Sequence, residues 1–387
     1  MEKKEIYYWS PSLVNIATNQ AVIRSAGGIS KYGKSYKSCI INFFGEFQKY
    51  EKEIQENKIN LINFFNKKIY NYLPRHGYLK SRLSFLIIFI LSFFPLLKLL
   101  RKEKPHYLII HLITSLPLTL LLFFKFETKF ILRISGLPKL GMLRKFLWRI
   151  SLKKIHAITC PTEATKKYLM SLDLLDSNKI FVLPDPIISV EKISKLKKEK
   201  IEKFQHKEFI FSAGRLTRQK NFSLLIEAFN LVKLDNPNLL LIIAGEGEEE
   251  EFLKKKVKSL NLENKIIFIG YSQNVYKYMS KSTCFLLSSL WEDPGFVLIE
   301  AAYCRSPIIS SNCVNGPEEI LDKGNSGYLF ESNNLNSLTK TLNKFLIDKQ
   351  NNSKEIIKKK VNCMVYIKRY TKFRHFLSLK KILENNL

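Results

Sequence analysis

What most constrains this chain is a rhythm. Short, wholly apolar runs stop at a glycine or a turn, and each is followed by a segment with apolar residues at helical spacing. In the second half, Phe209–Gly214 and residues 239–244 (LLLIIA) are two such runs, the second closed by Gly245. Asn221 then precedes Phe222, Leu224, Leu225, Ala228, Phe229 and Val232, a helical series with Asn221 as its predicted N-cap. Lys265–Ile269, Cys284–Ser288 and Pro307–Ser310 read as further strands. The first half repeats the theme at Ile6–Trp9, Tyr107–Ile110, Phe130–Ile134, Ile155–Thr159 and Phe181–Leu183, the last closed by Pro184-Asp185-Pro186. Runs apolar on both faces are strands covered on both sides, and strands alternating with helices pair in parallel. The predicted fold class is therefore α/β, with two Rossmann-like, doubly wound domains in tandem. Such sheets hold ligand in a cleft at the carboxyl ends of their strands.

The domains are expected at 1–190 and 191–360, with 361–387 a C-terminal helix crossing back to the first. The charged stretch EKISKLKKEKIEKFQHK (191–207) has helical apolar spacing and reads as a linker helix. At 387 residues the chain is long enough for two domains, and 46% hydrophobic with 25% charged residues excludes whole-chain disorder.

Charge narrows the partners. The formal net charge is +29, and residues 1–190 hold 30 basic against 12 acidic side chains. An excess of this size implies an anionic partner. The basic half is also the half richer in long apolar runs, which favours an anionic membrane surface over nucleic acid. No zinc-finger, RNA-recognition or basic-zipper pattern occurs, and no nucleic-acid partner is expected. Between Arg82 and Lys98 lie fifteen uncharged residues, LSFLIIFILSFFPLL, with Arg75, Lys80 and Arg82 before them and Lys98, Arg101, Lys102 and Lys104 after. The stretch is short for a membrane span. It reads either as a helix lying in the headgroup region or as a buried helix of the first domain. The six cysteines, at 39, 160, 284, 304, 313 and 363, are scattered and read as reduced core residues. The N-terminus has no apolar core of signal-peptide length, so the expected location is cytoplasmic, peripheral on the inner face of the cell membrane.

Two clusters carry chemistry. Gly214-Arg215-Leu216-Thr217-Arg218-Gln219-Lys220-Asn221 falls between a strand and a helix, where free N–H groups and the helix dipole favour an anion. Arg215 offers a planar fork and Lys220 a point charge, both suited to phosphate oxygens. Glu292-Asp293-Pro294-Gly295-Phe296-Val297-Leu298-Ile299-Glu300 follows the strand at Cys284–Ser288. Its two glutamates can accept hydrogen bonds from sugar or ribose hydroxyls, and its glycine permits close backbone approach.

The order GRLTRQKN, LIIAGEG, FIGY, EDPGFVLIEA and Gly316-Pro317-Glu318-Glu319-Ile320 resembles the retaining glycosyltransferases of family 4, with the GT-B fold. The resemblance covers residues 205–345 strongly and the first domain more faintly. It implies that Arg215 and Lys220 bind the diphosphate of a nucleotide sugar, UDP- or GDP-linked, and that Glu292 faces the donor sugar. The N–H groups of Gly295, Phe296 and Val297 would meet sugar or phosphate. Glu300 would hold the ribose, and Tyr271 would lie near the base. Gly27-Gly28 resembles the family's Gly-Gly loop, placed after a long first loop, and His111 stands where the family often has a cleft histidine. Arg133-Ile134-Ser135-Gly136 takes the family's Val-x-His-Gly position with serine for histidine, and Asp293-Pro294 stands where Gly-Phe is commoner.

The resemblance thus implies a metal-independent transfer of a sugar, with retention, from a nucleotide sugar to a glycan or lipid-linked acceptor in surface polysaccharide synthesis (lipopolysaccharide, capsule or O-antigen). No cofactor beyond the donor is expected, since there is no Asp-x-Asp pair. The acids after Gly245-Glu246-Gly247 rule out a dinucleotide fingerprint, and no Walker or His-Glu-x-x-His motif occurs. Two rival readings are a sugar epimerase of the same fold and a membrane adaptor without enzymatic activity. The adaptor leaves Arg215, Lys220, Glu292 and Glu300 without a task.

Overall fold

The computed structural model describes residues 3–12, 17–65, 78–138 and 140–385. Strand β1 (Lys4–Trp9) is followed by α1 (Ala17–Tyr32), β2 (Tyr36–Asn42), α2 (Glu51–Glu56), β3 (Asn60–Asn63), α3 (Tyr78–Glu103) and β4 (Tyr107–Ile110). Then come α4 (Ser115–Phe123), β5 (Lys129–Arg133), α5 (Met142–Ser151), β6 (Ala157–Cys160), α6 (Glu163–Ser171) and β7 (Ile180–Val182). These seven strands form one parallel sheet in the order β3-β2-β1-β4-β5-β6-β7.

The second sheet uses β8 (Phe209–Ala213), β9 (Leu240–Ala244), β10 (Ile266–Phe268), β11 (Cys284–Leu287), β12 (Ile308–Ser311) and β13 (Tyr328–Phe330). Its order is β10-β9-β8-β11-β12-β13, again parallel throughout. The helices of this half are α7 (Val190–Leu196), α8 (Phe222–Val232), α9 (Glu250–Ser259), α10 (Tyr276–Lys281), α11 (Phe296–Tyr303), α12 (Pro317–Ile320), α13 (Leu335–Gln350) and α14 (Lys354–Ile367), and α15 (Lys372–Glu384) closes the chain. The chain falls into two compact units, 1–186 with 372–387, and 187–371.

The apolar strands are buried from end to end because helices cover both faces of each sheet: β4, β8 and β9 carry no exposed residue. In the second unit Phe211, Ile242 and Phe285 face one helical layer, while Ile210, Leu241 and Leu286 face the other. The strand pleat sends successive side chains to opposite faces and so serves both layers at once. All six cysteines are buried, and none is joined in a disulfide.

Three expectations need correction. Residues 191–207 are not one helix: α7 stops at Leu196, and only a short 3₁₀ turn, Glu202–Phe204, follows. Ile193, Ile201 and Phe204 anchor the stretch in the second unit's core, and it does not run free as a linker. The long first loop is in fact largely α1, and Gly27 and Gly28 lie inside that helix. Their missing side chains make room for neighbours. A Cβ on Gly27 would stand 2.7 Å from Asn57 Oδ1, and one on Gly28 would stand 3.3 Å from the carbonyl oxygen of Lys372. They are packing glycines rather than a phosphate-facing loop. Asn221 does precede α8, but in a left-handed conformation (φ 50°), and its side chain donates to Asn333 Oδ1 without capping the helix.

The fifteen-residue apolar stretch is part of α3, the one helix among the described residues long and apolar enough to cross a membrane by length and composition. It does two jobs at once. Ile88, Leu96, Leu97 and Leu100 enter the first unit's core, whereas Leu83, Leu86, Ile90 and Phe94 face outward. One face of α3 is thus packed in the protein core and the other is exposed.

Candidate active site

In the second sheet β8 and β11 are neighbours, and from them the strand order runs in opposite directions. The carboxyl ends of two such strands are the place where sheets of this kind take ligands. Both chemistry-bearing segments leave from there. After β8 the chain turns at Gly214, whose N–H donates to Ala244 O at 3.0 Å. Gly245 has φ +140°, and a Cβ there would stand 1.8 Å from Gly214 O, so the loops after β8 and β9 run backbone against backbone. Leu216, fully buried, pins the basic loop, and Arg215 beside it is exposed.

Lys220 folds back over Gly214 (a Cβ there would lie 3.3 Å from Lys220 Cε) and reaches Glu292 with Nζ 2.5 Å from Oε1. Ser289 donates to the same oxygen at 2.6 Å. The two loops are further laced together: Leu290 N–H donates to Gln219 O, Gln219 Nε2 to Trp291 O, and Ser288 Oγ to Lys220 O, at 2.8, 2.9 and 2.9 Å. Glu292 N–H donates to Val314 O at 3.2 Å, tying in the loop after β12. A Cβ on Gly316 (φ +133°) would stand 1.9 Å from Pro294 O. A carboxylate 6% exposed, held by an ammonium and a hydroxyl in a threefold-braced loop, is fixed in position before any ligand arrives.

The chain then enters α11 at Gly295 (φ +98°), and the first helix-internal bond is Leu298 N–H to Gly295 O. The N–H groups of Phe296 and Val297 therefore stand at the open, positive end of the helix. Glu300, on the same helix, accepts a hydrogen bond from Tyr276 OH at 3.0 Å. Tyr271 follows β10; its N–H donates to Glu246 Oε1 at 3.3 Å, and its ring is 73% exposed. Arg215, Lys220, Glu292, Gly295, Phe296, Val297 and Tyr271 thus all lie in loops or first helical turns after strands of one sheet, with Glu300 one turn further along α11. Ser289, Gln219 and Tyr276 were not singled out from the sequence. A serine before an acidic loop carries no signal until the pairing of β8 with β11 is known.

The first unit has a cavity at its strand ends. His111, just beyond β4, donates its N–H to Trp9 O at 2.8 Å and lines a cavity of about 810 Å³ with Ser12, Ser135 and Trp148. Burial, then the nearby Arg133 guanidinium, pushes its imidazole down to about 3, so it is neutral at physiological pH. Arg133 is fully engaged. Its Nε and NH2 donate to Asp185 at 3.2 and 2.6 Å, and NH1 donates to Ile134 O at 3.0 Å. Beside them His375, on α15, is buried and depressed to about 4. Pro184 O can only accept, so the proton is on His375 Nδ1 (2.7 Å), and Nε2 accepts from Ser25 Oγ (2.7 Å), which in turn accepts from Tyr8 OH (2.8 Å). Gly27 and Gly28, inside α1, line no part of the cavity. Among the described residues no three of His, Cys, Asp and Glu gather as a metal-holding group.

Two all-parallel α/β units, one with a basic loop clasped to a buried glutamate at the switch point of its sheet, have the architecture of the GT-B glycosyltransferases. The family model for glycosyl transferases group 1 matches residues 194–362, which hold the whole of that loop system. An uncharacterised glycosyltransferase of Methanocaldococcus jannaschii is 32% identical over 312 residues, 76% of this chain and 73% of its own. The UDP-Gal:alpha-D-GlcNAc-diphosphoundecaprenol alpha-1,3-galactosyltransferase of Escherichia coli is 27% identical over 311 residues, covering 73% of this chain and 78% of its own. The crystal structure of a glycosyltransferase from Rickettsia africae superposes with a TM-score of 0.74 over the full length of both chains at 18% identity, a likeness of fold. The chain belongs to the group 1 glycosyltransferases and is a transferase enzyme.

Proposed function

We propose that the protein transfers a sugar, with retention at the anomeric carbon, from a nucleotide diphosphate donor to a lipid-linked glycan acceptor in surface polysaccharide synthesis. The retaining family 4 is the group its motifs match. The observation that carries the reading is the Lys220–Glu292 pair at the β8–β11 switch point, with the exposed Arg215 on the same loop. As the anomeric bond breaks, negative charge develops on the leaving diphosphate. Arg215, Lys220 and the N–H groups of Gly295, Phe296 and Val297 stabilise it with dipoles that need no rearrangement. Glu292 orients the donor sugar through its hydroxyls, Glu300 takes the ribose, and the open ring of Tyr271 stacks on the base. A neutral His111 accepts a hydrogen bond on the acceptor side. The protein supplies its own cations at the diphosphate, so transfer proceeds without a metal.

A lipid-linked acceptor fits the first unit, whose α3 turns Leu83, Leu86, Ile90 and Phe94 to the outside within a strongly basic half of the chain. The diphosphoundecaprenol acceptor of the Escherichia coli relative supports the same reading. The enzyme would then work on the inner face of the cell membrane, held by apolar side chains and anionic lipid.

A thermal-shift series with UDP, GDP and ADP tests the donor site. One nucleotide should raise the midpoint, since a ligand that binds only the folded state stabilises by mass action. The Arg215→Ala/Lys220→Ala variant should lose that rise. No shift with any nucleotide at millimolar concentration would refute the donor assignment.

A further inference from the structure

The cavity of the first unit has two unlike ends. At the strand ends it is polar, with Ser12, His111 and Thr114, and Ser135 stands at its exposed edge. Its mouth is apolar, with the exposed Phe85 from α3 and Leu143 from α5, backed by Leu147 and the buried Trp148. Outside the mouth the apolar surface continues without cover: Met142 is 91%, Leu143 89% and Phe146 63% exposed. On the same helix stand Arg144, Lys145 and Arg149, and the Arg144 guanidinium lies over the Trp148 ring, 5.5 Å from its centroid. No acidic residue occurs between Glu127 and Glu163.

A soluble sugar does not require an apolar mouth, and a nucleotide does not require one that continues into exposed methionine and leucine. A second copy of the chain would oppose cation to cation across this face. A lipid phosphate meets every feature together.

We propose that this cavity takes the lipid end of the acceptor, a long-chain isoprenoid-type phosphate or diphosphate. Its anionic linkage is met by Arg144 at the rim, and its first chain units pass between Phe85 and Leu143. The sugar to be extended then points down to His111 and Ser135. This rests on the lipid-linked acceptor reading and assigns it a place. Arg133 lines the cavity but is neutralised by Asp185, which leaves Arg144 as the rim cation. The apolar stem of the lipid supplies affinity as its methylenes leave water, and the single charge fixes where the lipid stops.

The test uses the full-length enzyme and farnesyl diphosphate as probe, followed by tryptophan fluorescence and calorimetry, with UDP titrated in parallel. Leu143→Asp and Arg144→Glu change exposed side chains, so folding is not at stake. Each should weaken farnesyl diphosphate by about tenfold or more while UDP binds as before, and inorganic diphosphate should compete poorly. The proposal is overturned if the wild type binds UDP but not the probe, if both variants bind it unchanged, or if inorganic diphosphate competes equally well. It is also overturned if Arg144→Glu loses only phosphatidylglycerol vesicles and keeps the probe, because the face would then dock a bilayer alone. Loss of UDP binding in the wild type would instead strike the donor reading.

Discussion

At the scale of single residues the Lys220–Glu292 pair decides most. Both side chains are largely buried, at 13% and 5% exposure, so each is the other's solvent. Removing one partner leaves an unpaired buried charge, at a cost of about 3 kcal/mol. Lys220→Met alone should therefore lower the melting midpoint markedly, while Lys220→Met/Glu292→Gln should recover most of it, because an amide still accepts from Ser289. Neither variant should bind UDP well. Chemical unfolding beside UDP calorimetry separates the two effects, and recovery of UDP affinity in the double variant would show that the pair serves stability only. These two residues were legible from the sequence by the motifs they sit in. Their mutual contact was not, because seventy-two positions separate them and only the adjacency of β8 and β11 brings them together.

At the scale of elements, legibility followed composition. Tyr107–Ile110 and Cys284–Leu287 could be read closely because an unbroken apolar run between turn signals has few other uses. Strands Tyr36–Asn42 and Asn60–Asn63 went unread: the first mixes Lys37, Ser38 and Asn42 with its apolar residues, and the second is a four-residue edge strand. Helix α1 was hidden by Gly27 and Gly28, which cost about 1 kcal/mol each in a helix interior. Only the tertiary contact with Asn57 and α15 shows why they are there. Helix α3 has one face in the core and one exposed, and the two can be tested separately. Leu96→Ala, at a fully buried position, should cost about 2–5 kcal/mol. Phe94→Ser, at a position 74% exposed, should leave the midpoint within about 1 °C yet reduce retention on phosphatidylglycerol vesicles in flotation. Unchanged flotation would remove α3 from the membrane-facing surface.

At the scale of the whole molecule, the buried ionisable groups set the pH range of the fold. His111 and His375 are depressed from the ordinary 6.5 to about 3 and about 4, so the folded state binds fewer protons than the unfolded one. Their contribution is complete above pH 6.5 and is lost as the pH falls from there toward about 4. Glu46 acts the other way. Burial raises it to about 7 despite the N–H groups of Phe43 and Phe44 that donate to it, so its cost is greatest above pH 7 and is relieved as the pH falls toward 4.5. Two groups oppose one, and stability should decline from pH 6.5 to 5. Glu46→Gln removes the opposing contribution and should make that decline steeper by about one proton; an identical slope would show that Glu46 keeps its charge throughout. The final helix has a different consequence. Residues 372–387 complete the first unit, with Tyr107 OH donating to Leu383 O and Tyr36 OH to Glu384, whereas the second unit is one unbroken stretch, 187–371. The first unit is thus the discontinuous one: α1 gains its covering helix α15 only after the whole of the second unit has been synthesised. A chain stalled before residue 372 would hold a complete second unit joined to a first unit whose α1 lacks its covering helix.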